Sequence, residues 1–410
     1  MNRIKLGDIL QIKHGYAFKS ENYVKNSPYA LVTLANISGS NNFQFTPDKT
    51  TYYGAAFPNE FKLYEDDLIM PLTEQVVGLF GNSAFVPKIK GMQFVLNQRV
   101  GKVIPKEEKA DKYYLHYLLS TDIVRNQLEY RASGTRQRNI SPSDIYDVTV
   151  FIPDIKTQRK IGKTLYDIER KININNQIND NLQHQLKLLY DYWFTQFDFP
   201  DENGNPYRAS GGAMVWNEQL KRKIPVNWKA EMLSDVFEVT MGSSPTGDSL
   251  NDNNNGIEFY QGSTDFGSLY PTERIYTTAP IRYAKQQDVL LSVRAPVGAL
   301  NIAMNDCCIG RGLAAIHHES TAYAWCTLKA LQPFFDIFNA NGTTFGALTS
   351  DDLKNHYIIS PDNDVLQAFI RISKPIEEKM RVISKEIRQL STLRDWLLPM
   401  LMNGQATIAD

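Results

Sequence analysis

From Ala132 to Asp154 the chain reads ASGTRQRNISPSDIYDVTVFIPD, and from Ala340 to Asp362 it reads ANGTTFGALTSDDLKNHYIISPD. The two align without a gap, sharing Ala, Gly and Thr at the start, an Asp in the middle and Pro-Asp at the end. Other pairs follow in the same order. LGDILQIKHG (Leu6 to Gly15) returns as LSDVFEVTMG (Leu233 to Gly242), and DDLIMPLTEQVVG (Asp66 to Gly78) as QDVLLSVRAPVG (Gln287 to Gly298). LNQRVGKVI (Leu96 to Ile104) returns as IGRGLAAI (Ile309 to Ile316). A period of about 210 residues is far above that of solenoid repeats, so the chain is a duplicated domain-plus-helix unit. A length of 410 residues is also too great for one ordinary core.

Within each copy the globular part mixes strands and helices. YALVTLAN, DDLIMPL, FVLNQRVGKVI and DVTVFIP are short β-branched, apolar runs bounded by Gly, Asn, Asp and Pro, the pattern of strands. Lys112 to Tyr130 has helical spacing, with Tyr113, Leu115, Leu118, Leu119 and Val124 able to share a face. The expected fold class is therefore α+β, two similar globular domains separated by two long antiparallel helices in a pseudo-two-fold repeat. The expected boundaries are 1–154 and 216–362 for the domains, 155–197 and 363–400 for the helices, and 198–215 for a Gly-, Pro- and Asn-rich linker.

The helical segments carry a sharper pattern. Ile161, Leu165, Ile168, Ile172, Asn175, Asn179, Leu182, Leu186, Leu189 and Trp193 step 4-3-4-3 without interruption. This is a coiled-coil seam with two polar positions, a device that fixes register at some cost in stability. Ile376, Met380, Ile383, Ile387, Leu390 and Leu397 give the second seam. A helix of ~35 residues is roughly 50 Å long, so an antiparallel pair is expected to act as a rigid spacer holding the two globular domains apart.

Catalytic motifs are missing from the sequence. It has no G-x-x-x-x-G-K-[ST], no Gly-rich strand-to-helix turn for a nucleotide or S-adenosylmethionine, and no nucleophile elbow at Ser243 and Ser244. The six histidines lack any metal-ligand spacing. Asn205-Pro206-Tyr207 has only one of the two prolines of an amino-methyltransferase motif. Glu377 is expected on a solvated helix face rather than in a metal site. Cys307, Cys308 and Cys326 read as reduced core thiols. The chain has no run of 18 apolar residues. A net charge of −1 speaks mildly against nucleic acid, but Arg131, Arg136 and Arg138 cluster, as do the basic residues Lys156, Arg159, Lys160 and Lys163.

This organisation resembles the specificity subunit of type I restriction-modification systems. Each copy closes with Gly-Thr, a polar loop, a Ser or Thr step, a strand, Pro, and a Gln opening the helix. These are Gly134-Thr135, Ser141, Pro153 and Gln158, then Gly342-Thr343, Thr349, Pro361 and Gln367. DENGNPYRASGGAMVWNEQLKRKIPVNW resembles the family's central region, and LRDWLLPMLMNGQ echoes LYDYWF. The resemblance implies a non-catalytic, cytoplasmic, bacterial or archaeal subunit. Its two target-recognition domains would each read one half of an asymmetric, bipartite double-stranded DNA site. Its helices would hold two modification (methyltransferase) subunits, joined by restriction (translocase and nuclease) subunits. S-adenosylmethionine, ATP and Mg would belong to those partners. The competing readings are a helical scaffold for protein partners and a single-chain DNA methyltransferase.

On this reading the candidate DNA contacts of the first copy are Lys13, His14, Lys19, Thr73, Gln75, Gln98, Arg99, Thr135, Arg136, Gln137, Arg138 and Asn139. Those of the second are Ser243, Ser244, Gln261, Ser263, Arg294, Arg311, Thr343 and Thr344. Arg suits guanine or phosphate, and Gln and Asn suit adenine. Each could instead serve a turn or cover a domain edge.

Overall fold

The computed structural model describes residues 1–37, 42–75, 77–134, 137–340 and 346–408. It divides into two compact units, Met1–Ile172 with Gln389–Asp410, and Asn173–Arg388.

In the first unit Asn2–Lys5 pairs antiparallel with Thr149–Ile152. A four-stranded sheet runs in the order Leu10–His14, Val100–Pro105, Leu68–Pro71, Ala84–Phe85. A second sheet ends in a parallel pair, Tyr29–Val32 beside Gln93–Leu96. The second unit repeats the plan. Lys229–Met232 pairs antiparallel with Tyr357–Ser360. Glu238–Met241, Leu313–His317, Val289–Ser292 and Leu300–Ile302 form the corresponding four-stranded sheet. Ile257–Tyr260 lies parallel to Cys307–Ile309.

The repeated polar residues turn out to be helix caps. Ser141 Oγ accepts the Asp144 N–H at 3.2 Å and Thr349 Oγ1 accepts the Asp352 N–H at 3.1 Å. In return the Asp144 and Asp352 carboxylates accept from the Ser141 and Thr349 backbone N–H groups, closing a capping box. The repeated Pro-Asp opens the long helices: Asp154 accepts from Thr157 N and Asp362 from Val365 N, both at 3.0 Å. Orphan N–H groups at a helix start need such partners. Buried Gln158 ties its helix to the domain by donating to the carbonyls of Pro153 and Lys109 and accepting from Asp111 N.

The long helices span Ile155–Tyr190 and Asn363–Met402. In the first unit Ile161, Leu165, Leu401 and Met402 enter the core with Leu6, Tyr114 and Val150. Gly162 lets this helix approach the helix Lys112–Leu119 closely, since a Cβ there would lie 2.5 Å from Tyr114 N. In the second unit Leu186, Tyr190, Trp193, Phe369 and Met380 share a core with Phe237, Leu291 and Leu328. Buried Asn175 and Asn179 donate to Glu386 and Ser384, both at 2.9 Å, so the two stretches run antiparallel there.

Two details differ from expectation. The helix expected over 112–130 is two, Lys112–Leu119 and Asp122–Arg131. Ser120 and Thr121 donate their hydroxyls back to the Tyr117 and Leu118 carbonyls, and Thr121 turns extended. Glu377 is half-buried rather than solvated, accepting from Ser320 Oγ and Ala322 N at the start of helix Thr321–Ala330. Within the stretch 198–215, buried Phe199 stacks between Tyr207 and Trp228. Cys307, Cys308 and Cys326 are buried and free.

Candidate nucleic-acid interface

Four segments of the first unit meet at the ends of its strands. The turn 97–99 joins Gln93–Leu96 to Val100–Pro105, and Asn97 folds it by accepting from Val100 N through its carbonyl and from Arg99 N through its side chain. Residues 15–16 lie against it, with Tyr16 N donating to Leu96 O and Gln98 N to Tyr16 O. Only glycine fits at 15, where a Cβ would stand 2.0 Å from the Asn97 carbonyl. Leu72 N donates to Arg99 O and Ile140 N to Leu72 O, which draws in the two remaining segments. Thr73–Glu74 then pairs with Arg138–Asn139. Ser133 and Asn139 exchange backbone hydrogen bonds to close the loop between them. Gly134 has φ +112°, and a Cβ there would lie 2.2 Å from Gln137 O.

This gathering exposes His14, Gln75, Gln98, Arg99 and Asn139, with Gln137 half-exposed. Gln137 Nε2 donates to Asn139 Oδ1 at 3.3 Å. Lys13 is turned to Glu60, and exposed Lys19 lies 3.8 Å from Glu21. Thr73 is buried. Arg138 is held internally: its Nη1 lies 2.8 Å from Glu74 and 2.7 Å from Glu129, and its Nη2 donates to the Glu129 carbonyl at 2.6 Å. Thr135 and Arg136 lie outside the described residues, as do Thr343 and Thr344.

The second unit builds the same junction with other side chains. Ser243 N donates to Ile309 O, Gly312 N to Gln261 O, Val293 N to Gly312 O, and Leu348 N to Val293 O. Arg294 pairs with Ala347 as Thr73 pairs with Asn139. Gly242 abuts the Gly310 carbonyl as Gly15 abuts that of Asn97. Ser244 Oγ donates to Gln261 Oε1 at 2.8 Å and accepts from Arg311 N at 3.3 Å. Ser263 is half-exposed and opens a short turn over Ser263–Asp265. Arg294 and Arg311 are exposed. Arg282, which sequence reading did not single out, is exposed beside Ile309, whose N–H it accepts. Arg99, Arg294 and Arg311 form no ion pair among the described residues. The near-neutral total thus hides uncompensated guanidiniums at the junctions, the kind of local charge that phosphate and base edges attract.

Along the long helices, Ile161, Leu165, Ile172, Leu186, Trp193, Met380 and Ile383 are buried. Ile168, Leu182, Leu189, Ile376, Ile387, Leu390 and Leu397 are half-buried. The seam is therefore mostly turned inward. A different apolar set faces out: Ile174, Ile178 and Leu188 on the first helix with Tyr192 just past its end, and Val382, Leu393 and Trp396 on the second, with Trp396 59% exposed. Among the described residues no group of His, Cys, Asp and Glu could hold a metal ion. No helix of the described residues is long and apolar enough to cross a membrane.

The family model of the type I restriction modification DNA specificity domain matches residues 1–184 and 225–390. The chain belongs to that family. It is a type I restriction-modification specificity subunit, a non-catalytic role, with two DNA-specificity domains. A Methanocaldococcus jannaschii protein provisionally named the MjaX specificity subunit of a type I restriction enzyme is 28% identical over 74% of this chain and 70% of its own. The MjaIX specificity subunit of the same organism is 25% identical over 77% and 73%. The crystal structure of the S subunit of a type I restriction-modification system from M. genitalium shares the fold, with a TM-score of 0.61 and 15% identity over 98% of this chain and 95% of that one.

Proposed function

We propose that each specificity domain reads one half of an asymmetric, bipartite double-stranded DNA site. The observation that carries this is the junction built twice on one backbone plan with different exposed side chains. His14, Gln75, Gln98, Arg99 and Asn139 project from the first copy, and Ser244, Gln261, Arg294 and Arg311 surround the second. Shared backbone with unlike side chains suits one docking geometry applied to two different base sequences. The guanidiniums and amides are the groups that discriminate guanine and adenine edges, at about 1–3 kcal/mol for a bidentate contact.

The long helices supply the other half of the proposal. Their inward seam fixes register through Asn175 and Asn179, while Ile174, Ile178, Val382 and Trp396 leave apolar surface for partner helices. Two modification subunits dock there and restriction subunits join the assembly. S-adenosylmethionine, ATP and Mg are held by those subunits. The test is co-expression with the modification partner followed by genome-wide mapping of methylated adenines. A bipartite motif that changes in one half when residues 1–153 are exchanged supports the reading. A stable complex that methylates without any motif leaves only a scaffold, and this proposal is then wrong.

A further inference from the structure

We infer that Arg138 is a positioning residue for the first half-site: it locks the first junction from behind and does not read DNA itself. The inference rests on the reading of the first unit as a half-site reader.

Three separate segments converge on this guanidinium. Nη1 bridges Glu74 and Glu129 at 2.8 and 2.7 Å, and Nη2 takes the Glu129 main-chain carbonyl at 2.6 Å. The plane lies over the Phe80 ring, 5.7 Å from its centroid. Glu74 is 1% exposed along its side chain, and its second oxygen accepts from Leu79 N at 2.9 Å and Phe80 N at 3.2 Å. One guanidinium thus joins the end of helix Asp122–Arg131, the turn that follows Thr73–Glu74, and the strand Arg138–Asn139. These elements carry Gln75, Gln137 and Asn139, and Leu72 ties the same assembly to the turn holding Gln98 and Arg99.

Both Nη1 donors and one Nη2 donor of Arg138 are therefore engaged before any DNA arrives. An arginine fork matched to two carboxylates is a rigid joint, because its planar geometry leaves little freedom to the groups it holds. Base discrimination needs contact geometry held to within a fraction of an ångström, which makes a joint beneath the readers part of the reading.

The residues of the lock are not repeated at the matching positions of the second unit. Gly346 stands where Arg138 stands in the repeat, and a Cβ there would lie 1.9 Å from the Phe338 carbonyl. Ala295 and Ile337 replace the two glutamates. That junction is held by close backbone approach, and its arginines sit exposed at 294 and 311.

The experiment compares Glu129→Gln, Glu74→Gln and Arg138→Met in the complete complex with the modification subunits, mapping methylated sites for each. Wild type must first yield a bipartite motif; its absence defeats the underlying reading rather than this inference. All three substitutions are expected to relax the same several positions of the first half-site, with methylation of singly mismatched sites rising about tenfold or more, the size of one lost base contact. The second half-site stays unchanged and reports that the complex is assembled. Glu129→Gln, at a partly exposed position, is the mildest and guards against a variant that fails to fold. An altered base at one position in Arg138→Met, with both glutamate variants keeping the wild-type motif, would make Arg138 a direct reader. Unchanged motifs in all three would leave it an ordinary structural pair. Either result overturns the inference.

Discussion

Replacing Gly162 by alanine should destabilise the first unit, although a glycine inside a helix ordinarily costs about 1 kcal/mol relative to alanine. The added Cβ would stand 2.5 Å from Tyr114 N, 2.7 Å from Asp111 Oδ1 and 2.9 Å from Tyr113 C. Two of these are backbone atoms, which cannot rotate away. The third is the N-cap carboxylate that accepts from Tyr113 N and Tyr114 N at 3.1 and 3.0 Å. Overpacking of this kind costs typically 1–3 kcal/mol, and loss of a cap about 1 kcal/mol more. After subtracting the propensity gain, the net loss is about 1–3 kcal/mol. For a domain of this size each kcal/mol moves the midpoint by roughly 2–4 °C, so the melting transition falls by about 2–12 °C. Native-state hydrogen exchange locates the effect, with faster exchange expected in the amides of Lys112–Leu119. Four of the five tryptophans, Trp193, Trp216, Trp228 and Trp325, belong to the second unit, and Trp396 of the first is already 59% exposed, so tryptophan fluorescence should move less than far-UV circular dichroism. An unchanged or raised midpoint would show that the helices do not meet as closely as these distances require.

Other outcomes can be measured alongside it. Ser141→Ala and Thr349→Ala each remove a capping oxygen and should cost about 1 kcal/mol in urea unfolding, whichever unit carries the change. Burial raises the Glu258 carboxyl above its usual range, although Tyr260 and Asn305 donate to it at 2.6 and 2.7 Å. The folded state therefore holds that proton more tightly than the unfolded chain, and stability from this group is full in acid and lost as pH rises through the raised pKa. Glu258→Gln should consequently raise the melting temperature at pH 8, and its advantage should vanish at pH 4. Arg99→Ala and Arg311→Ala should each relax methylation specificity in a different half of the target, by about 1–3 kcal/mol at one position. An equal effect on both halves would remove either residue from the list of base readers.

Much of this fold was legible because its signals are local or periodic. The paired Ser141 and Thr349, and the paired Asp154 and Asp362, stood out as repeated letters, and their work is done within three residues of themselves. The 4-3 step marks one apolar stripe on each long helix, and Leu165 and Met380 on it are buried. The outward stripe at Ile174 and Ile178 was not distinguished from it, because which apolar face stays open depends on where the neighbouring helix lies. Arg138 illustrates the harder limit. Its residue type suited DNA, but Glu74 lies 64 positions away, and no local pattern announces that pairing. The break after Leu119 was hidden for the opposite reason. Ser120 and Thr121 fit a helical pattern, and only their hydroxyls bonding back to Tyr117 and Leu118 mark the stop.

The strand pairing that closes each unit has a consequence for heredity. Asn2–Lys5 lies beside Thr149–Ile152, and Lys229–Met232 beside Tyr357–Ser360. The first and last strands of each globular part, before its long helix begins, are thus separated by one strand spacing, about 5 Å. A gene segment spanning these two strands encodes a cassette whose ends meet at a fixed antiparallel joint. Recombination there can install a foreign specificity domain in a single event, leaving the coding sequence of the other domain untouched. New sequence preferences would then arise by exchange of whole inserts, faster than by successive point substitutions.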